Sequence, residues 1–286
     1  MKKFFATLLA LTMILSLAAC GGSKKEEPKQ EETKTEETTP AAPESDAAYI
    51  EGNGKMIIGY TVYEPMNYTD ANGTFTGFDT EYAQAICAKL GLEPEFVEIN
   101  WDTKEIELAG KTIDCIWNGM TITEERAANM SISLPYVKNA QVIVVKADST
   151  VASTADLVGA TVVAEMGSAG EAQIEGEDAN ADLAQAEYVG MAKQTDCLME
   201  VKAGTADAAV LDWTLAKSMV GEGTDFSDLK MVEGVELATE EYGIAFRQGS
   251  DFTAKVDAAT LELVADGTLP ALAEKYGLAL APAIAG

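Results

Sequence analysis

The chain contains no histidine and only two arginines, Arg126 and Arg247. Without histidine, a serine–histidine catalytic triad and a His-ligated zinc centre are excluded whatever the fold. Basic residues of any kind are scarce: 20 lysines and arginines stand against 47 acids, a formal net charge of −27. Nucleic-acid binding needs a basic face to neutralise phosphates, so this balance excludes it. The four cysteines are too few and too scattered for a disulfide framework. Cys87 falls on an apolar helix face, Cys115 inside the strand-like "TIDCIW" and Cys197 in the helical "QTDCLMEVKAG". Each is expected to be a buried thiol. A long hydrophobic run is missing too. Phe4 to Leu17 spans fourteen residues, short of the ~20 that a membrane-crossing helix needs.

What precedes and follows that short run gives it a meaning. Met1-Lys2-Lys3 is a basic head, and Leu17-Ala18-Ala19-Cys20 closes the run with small residues before Gly21-Gly22. Residues 1–19 therefore read as a signal peptide. Leu-Ala-Ala-Cys resembles the lipobox of bacterial lipoproteins, which implies lipidation of Cys20, with palmitate among the chains attached, and anchoring to the outer face of the cell membrane. Residues 21–48 hold no aromatic and no large aliphatic residue. Such a stretch cannot bury a core, so 20–48 is expected to be a lipidated cysteine followed by a disordered tether. The tether carries four lysines and eight acids, and Lys2 and Lys3 add two positive charges, so residues 49–286 keep a charge of −25. That acidity suits a soluble exported surface, with mild steering of cations as a weaker reading.

The remaining 238 residues are enough for two lobes. "KMIIGY", "EFVEI", "IDCIW", "AQVIVVK", "ATVVAE", "ADAAVLD" and "YGIAF" read as strands, and "NYTDANGTFTGF" as a hairpin turning at Asn72-Gly73. Between them lie helical stretches. Asp79 is expected to cap one in which Tyr82, Ile86 and Leu90 share a face and which Gly91 ends. "WDTKEIELAGK", "AKQTDCLMEVKAG", "SDFTAKVDAATLELVADG" and "TLPALAEKYG" supply others. Strand–helix alternation predicts an α/β fold on a largely parallel sheet, whose ligands bind at the carboxyl ends of strands.

Three strand ends carry chemistry. Trp117-Asn118-Gly119-Met120-Thr121 is followed by Arg126, three residues after the helix-capping Thr123. A cation there opposes the helix dipole, so the placement asks for a reason. Gly167-Ser168-Ala169-Gly170 follows a strand and opens a helix, freeing N–H groups for an anion. Asp212 ends "ADAAVLD". A guanidinium, an N–H nest and a carboxylate together complement a zwitterion. Taken singly, Arg126 could pair with a nearby glutamate and Asp212 could be a plain helix cap.

From Lys55 to Tyr276 the chain resembles the polar amino-acid family of extracellular solute-binding proteins that serve ABC importers, known as family 3. The likeness is carried by "GFDTEYAQAICAKLG", "IDCIWNGMTITEER", "SLPY", "GSAG", "ADAAVLD" and "ADGTLPALAEKYG". It implies a two-lobed, type II periplasmic-binding-protein-like fold whose lobes, joined by two hinge strands, close on one amino acid. Lobe 1 would comprise 49–139 and 242–286, and lobe 2 would comprise 140–241. The resemblance implies that Arg126, Thr121 and the Ser168 and Ala169 amides grip the α-carboxylate, while Asp212 and the Gly119 carbonyl take the α-ammonium. Tyr63, Trp101, Asn118 and Glu165 would line the side-chain wall. The bidentate fork of arginine, which lysine lacks, is then the reason for Arg126.

The same resemblance implies the partners: a free amino acid, the transmembrane permease subunits, and the membrane through Cys20, with a monomer and no cofactor, metal or nucleic acid. The loop Gly59–Tyr63 lacks the acid with which binders of basic amino acids meet a cationic side chain, so a neutral polar or a basic ligand both stay open. Tyr60 belongs to the core rather than the wall. Some relatives bridge the first helix to the next strand by a disulfide; "EPEF" offers Cys87 no partner. "DANGTFTGFDTE" resembles a calcium loop but has Phe75 where glycine is required. "MGSAG" resembles a nucleophile elbow but begins with Met166 and has no histidine to serve it. Two rivals share the fold. A dehydratase-type enzyme would have only Glu165 or Asp212 as its acid or base, and a sensor domain would need a signalling segment that the chain to Gly286 does not contain.

Overall fold

The computed structural model describes residues 45–177 and 179–285. The expected signal segment, Cys20 and most of the tether lie outside them. Helix α1 (Asp46–Asn53) starts inside the stretch expected to be tether: the Ser45 side chain accepts from the Ala48 N–H, and Ala47 and Ile50 are buried. Composition alone hides this turn, because its cap and acid are residues that loops also favour.

Three parallel strands form one wing of the main sheet: β4 (Glu93–Glu98), β1 (Lys55–Tyr60) and β5 (Cys115–Thr121). Another three form the second wing: β10 (Ala208–Asp212), β8 (Thr161–Glu165) and β9 (Glu187–Met191). Between them run β7 (Val137–Lys146) and the nineteen-residue β11 (Leu229–Arg247), antiparallel to each other. The order is β4-β1-β5-β11-β7-β10-β8-β9, with β6 (Met130–Ile132) beside β11. The sheet is thus parallel in its wings, as expected, and antiparallel at its centre. The chain is a two-lobed α/β protein whose halves are linked by two long strands. β11 changes partner along its length, from β7 at its start to β5 and β6 at its end. The hairpin exists as β2 (Tyr68–Thr69) and β3 (Phe75–Thr76), with Gly73 in the left-handed region at the turn.

Helix α2 (Phe78–Leu90) covers the first wing with Phe78, Tyr82, Ala83, Ile86 and Cys87, and stops at a left-handed Gly91. It packs on α8 (Phe252–Ala265) and α9 (Thr268–Tyr276). Each large apolar side chain so buried contributes ~1.5–3 kcal/mol. Asp79 does not cap α2. The cap is Gly77 at φ 127°, where a Cβ would lie 2.1 Å from the Met66 carbonyl oxygen. Asp79 instead turns inward and accepts from the Gly119 N–H at 2.7 Å and the Tyr136 hydroxyl at 2.9 Å. Burial, partly offset by those donors, raises its carboxyl to about 7.

The other face of the first wing is closed by Ile99, Trp101, Leu108, Ile113 and Met120. In the second lobe Ile143, Val145, Leu157, Val162 and Leu183 form a core of their own. Cys87, Cys115 and Cys197 are buried free thiols, as expected. Tyr60 is half-buried, tilted against Phe75 and edge-on to Phe96, outside the cavity wall and at the margin of the core.

Candidate functional site

Strand β5 is buried along its whole length and ends at Thr121, where the chain turns into α4 (Glu124–Asn129). Thr123 caps that helix by accepting from the Arg126 N–H at 3.1 Å. The cap fixes Arg126 in the first turn and sends its side chain back over the strand end. There Nη1 donates to the Thr121 carbonyl at 2.8 Å and Nη2 to the Gly167 carbonyl at 3.0 Å. Arg126 is buried and forms no ion pair among the described residues. Two of its five N–H donors are engaged, and three have no acceptor among the described residues. A buried guanidinium in that condition favours an anion strongly. Arg247 shows the contrast: Asp46 at 2.6 Å and Asp114 at 3.0 Å neutralise it.

Gly119 sits two residues before the strand end at φ 59°. A Cβ there would lie 2.7 Å from the Tyr63 ring and 3.1 Å from that of Tyr242. Only glycine lets the backbone run this close beneath the two tyrosines, whose hydroxyls meet at 2.6 Å.

Across the gap, β8 ends at Glu165 and α5 (Ala169–Glu175) begins after Gly167-Ser168. Ser168 caps α5 by accepting from the Glu171 N–H, and its own N–H donates to the Glu165 carbonyl at 3.2 Å. The Gly167 N–H is held by the Glu171 carboxylate at 2.7 Å. Of the expected nest, the Ala169 amide is thus the freest, as the first amide of a helix.

Glu165 is buried, and its Oε1 has no hydrogen-bond partner among the described residues. Burial first, and then repulsion from Asp212, raises its carboxyl to about 8, against a smaller pull from Lys104. That lysine donates to the carbonyls of Trp101 at 3.1 Å and Gly167 at 2.8 Å. Burial and the nearby Arg126 lower it to about 8.

Asp212 ends β10 ahead of α7 (Trp213–Met219) but makes no side-chain cap. Its carboxylate accepts from Asn139 Nδ2 at 2.5 Å, from Gln141 Nε2 at 2.8 Å and from Gln194 at the start of α6 (Gln194–Ala203). The plain-cap reading of Asp212 and the glutamate-paired reading of Arg126 are both set aside by these contacts.

Tyr63, Trp101, Asn118, Gly119, Thr121, Arg126, Glu165, Ser168, Ala169 and Asp212 all line one narrow cavity. The sequence reading therefore places ten residues from five separate stretches around one space. Two details differ from expectation. Asn118 has a fully engaged amide: Oδ1 accepts from the Thr61 N–H and hydroxyl, and Nδ2 donates to the Thr61 carbonyl and to Asn67. It shapes the wall and has no polar valence left to read a side chain. Thr121 Oγ1 donates at 2.9 Å to Glu240, a residue that sequence reasoning missed.

Gln194 lines the same cavity and was missed as well. Its signal was available, because "KQTDC" is one more strand-to-helix junction of the kind already read at Ser168. Glu240 had no such local signal, since only the register of β11 against β7 brings it here.

The model of the bacterial extracellular solute-binding proteins, family 3, matches residues 56–279. The chain belongs to this family. Among its relatives is the arginine-binding extracellular protein ArtP of Bacillus subtilis, 28% identical over 288 residues, covering 96% of this chain and 98% of ArtP. A mutant of ArgBP from T. maritima is similar in structure, with a TM-score of 0.73, 35% identity and coverage of 81% of this chain and 99% of the other. So is a substrate-binding protein of an ABC uptake transporter from Streptococcus pneumoniae, solved with bound histidine. It has a TM-score of 0.72 and 28% identity, and the match covers 82% of this family 3 chain and 96% of that one.

Proposed function

We propose that this family 3 protein captures a single neutral polar or basic L-amino acid in the cavity between its lobes and delivers it to the permease of an ABC importer. The observation that carries the reading is the opposition across the cavity of a buried, unpaired Arg126 and the buried carboxyls of Asp212 and Glu165. Arg126 and the Ala169 amide grip the α-carboxylate, with Thr121 and Ser168 beside them but already donating to Glu240 and to the Glu165 carbonyl. Asp212 and the Gly119 carbonyl receive the α-ammonium, Tyr63 and Trp101 flank the side chain with Asn118 behind them, and Glu165 meets its tip. The partnerless Oε1 of Glu165 suits a tip that donates hydrogen bonds. The arginine and histidine named for similar proteins both have one.

Lobe 1 is taken as 49–139 with 242–286, and lobe 2 as 140–241, so that Arg126 and Asp212 close on the ligand from opposite sides. Binder is preferred to dehydratase because Asp212 is committed to Asn139, Gln141 and Gln194, and the relatives are named for binding. Attachment by lipid on Cys20, after loss of residues 1–19, would keep the protein on the extracytoplasmic face. The tether gives it reach to the permease.

A thermal-shift screen of the twenty amino acids tests the reading. Glutamine, histidine, arginine or lysine should raise the melting temperature, and aspartate and glutamate should not. With its carboxyl raised to about 8, Glu165 is largely neutral at pH 7. An acidic side chain would bring a further buried carboxylate beside Glu165 and Asp212 with no counter-charge of its own, so it is rejected. Preference for glutamate over glutamine would overturn the wall described.

A further inference from the structure

Where the two linking strands cross, four polar side chains meet on one face of the sheet. Asn139 and Gln141 lie two apart on β7, and the register sets Glu240 of β11 opposite Asn139 and Asp212 of β10 opposite Gln141. Asn139 Nδ2 is 2.5 Å from both Asp212 Oδ1 and Glu240 Oε1, and Gln141 Nε2 is 2.8 Å from the same two oxygens. One pair of amides therefore serves both carboxyls, which face each other with no cation between them. Two buried carboxylates placed so closely cannot both stay ionised without a counter-charge.

The groups around the pair are nearly all neutral or acidic. From β11 comes Tyr242 and from β5 Thr121; α6 contributes Gln194, the loop after β1 contributes Tyr63, and β8 contributes Glu165. Arg126 is the nearby cation and is turned to the carbonyls of Thr121 and Gly167.

We propose that Asp212 and Glu240 act as one acid, sharing a single proton in the unliganded cleft and releasing it to solvent when the ligand's ammonium group reaches Asp212. Glu240 does not line the cavity, so it is a positioning residue that sets the charge of the ammonium pocket. Both carboxyls are raised above the ordinary carboxylate range, chiefly by burial. The step balances: the ammonium keeps its three protons, the pair changes from one negative charge to two, and the buffer takes one proton. Binding then tightens as pH rises, because protons compete with the ammonium for the pair.

The inference rests on the proposed amino-acid binding, and the test keeps the two apart. Calorimetry with L-glutamine and L-arginine at pH 7, in phosphate and in Tris, yields the protons released from the dependence of the enthalpy on the buffer. The wild-type protein should release a large fraction of one proton per ligand, and E240Q should lose it. Binding without proton release in the wild type, or undiminished release in E240Q, overturns the proposal. If no amino acid binds, it is the functional reading that fails. The pair is then judged without ligand by the infrared C=O stretch of a protonated carboxyl at pH 7. Loss of one such band in E240Q supports the shared proton, and an unchanged spectrum overturns it.

Discussion

A single residue type, arginine, occurs twice here and does two different jobs. Arg247 ties α1 to the first wing through Asp46 and Asp114, whereas Arg126 is buried with donors uncommitted. The sequence pointed at Arg126 because a cation beside the Thr123 cap opposes the helix dipole, and the proposed carboxylate contact would give that cost a purpose. Asp212 lends itself to a residue-scale test. Its side chain caps nothing, so Asp212→Asn should weaken amino-acid binding, and blocking the ligand's amine should do the same. Melting of the unliganded protein should change little, since a neutral amide relieves the crowding with Glu240. Strong destabilisation with intact binding would make Asp212 structural. Asn118 shows what composition could not foresee: its four hydrogen bonds are all internal.

Elements were legible where the pattern is local. Strand ends at Thr121, Glu165 and Asp212, and the stops at Gly91, Gly204 and Gly277, follow from periodicity and left-handed caps. The first half of β11 did not, because "LKMVEGVELATEE" alternates weakly and two register shifts interrupt its pairing with β7. That half carries Glu240, so the missed strand and the missed carboxyl have one cause.

These elements also bury acids: Asp79 on α2 is raised to about 7 and Glu165 at the end of β8 to about 8, both by burial first. A carboxyl with a raised folded pKa binds more protons folded than unfolded between its two values, so its contribution to stability falls as pH rises through that window. The unliganded protein should therefore melt several degrees lower at pH 8 than at pH 5. Carboxyls held low, such as Asp70 and Asp251, act only below about pH 4. A melting temperature that climbs from pH 5 to pH 8 would contradict these assignments.

At the scale of the molecule, two parallel wings are joined by two antiparallel strands, and Arg126 in the first turn of α4 reaches the Gly167 carbonyl just before α5. No helix among the described residues is long and apolar enough to cross a membrane, so Cys20→Ala should move the protein from membrane fractions to the medium. Persistence at the membrane would point to an uncleaved signal anchor. The central claim is that the cavity holds an amino acid by its carboxylate on Arg126. Titration calorimetry of wild type and Arg126→Ala, with the amino acid that gives the largest thermal shift, tests it directly. A single site whose affinity falls at least about thirtyfold, in line with the ~2–5 kcal/mol lost when a desolvated charge pair is broken, is the predicted result. Equal affinity in the two proteins would contradict it.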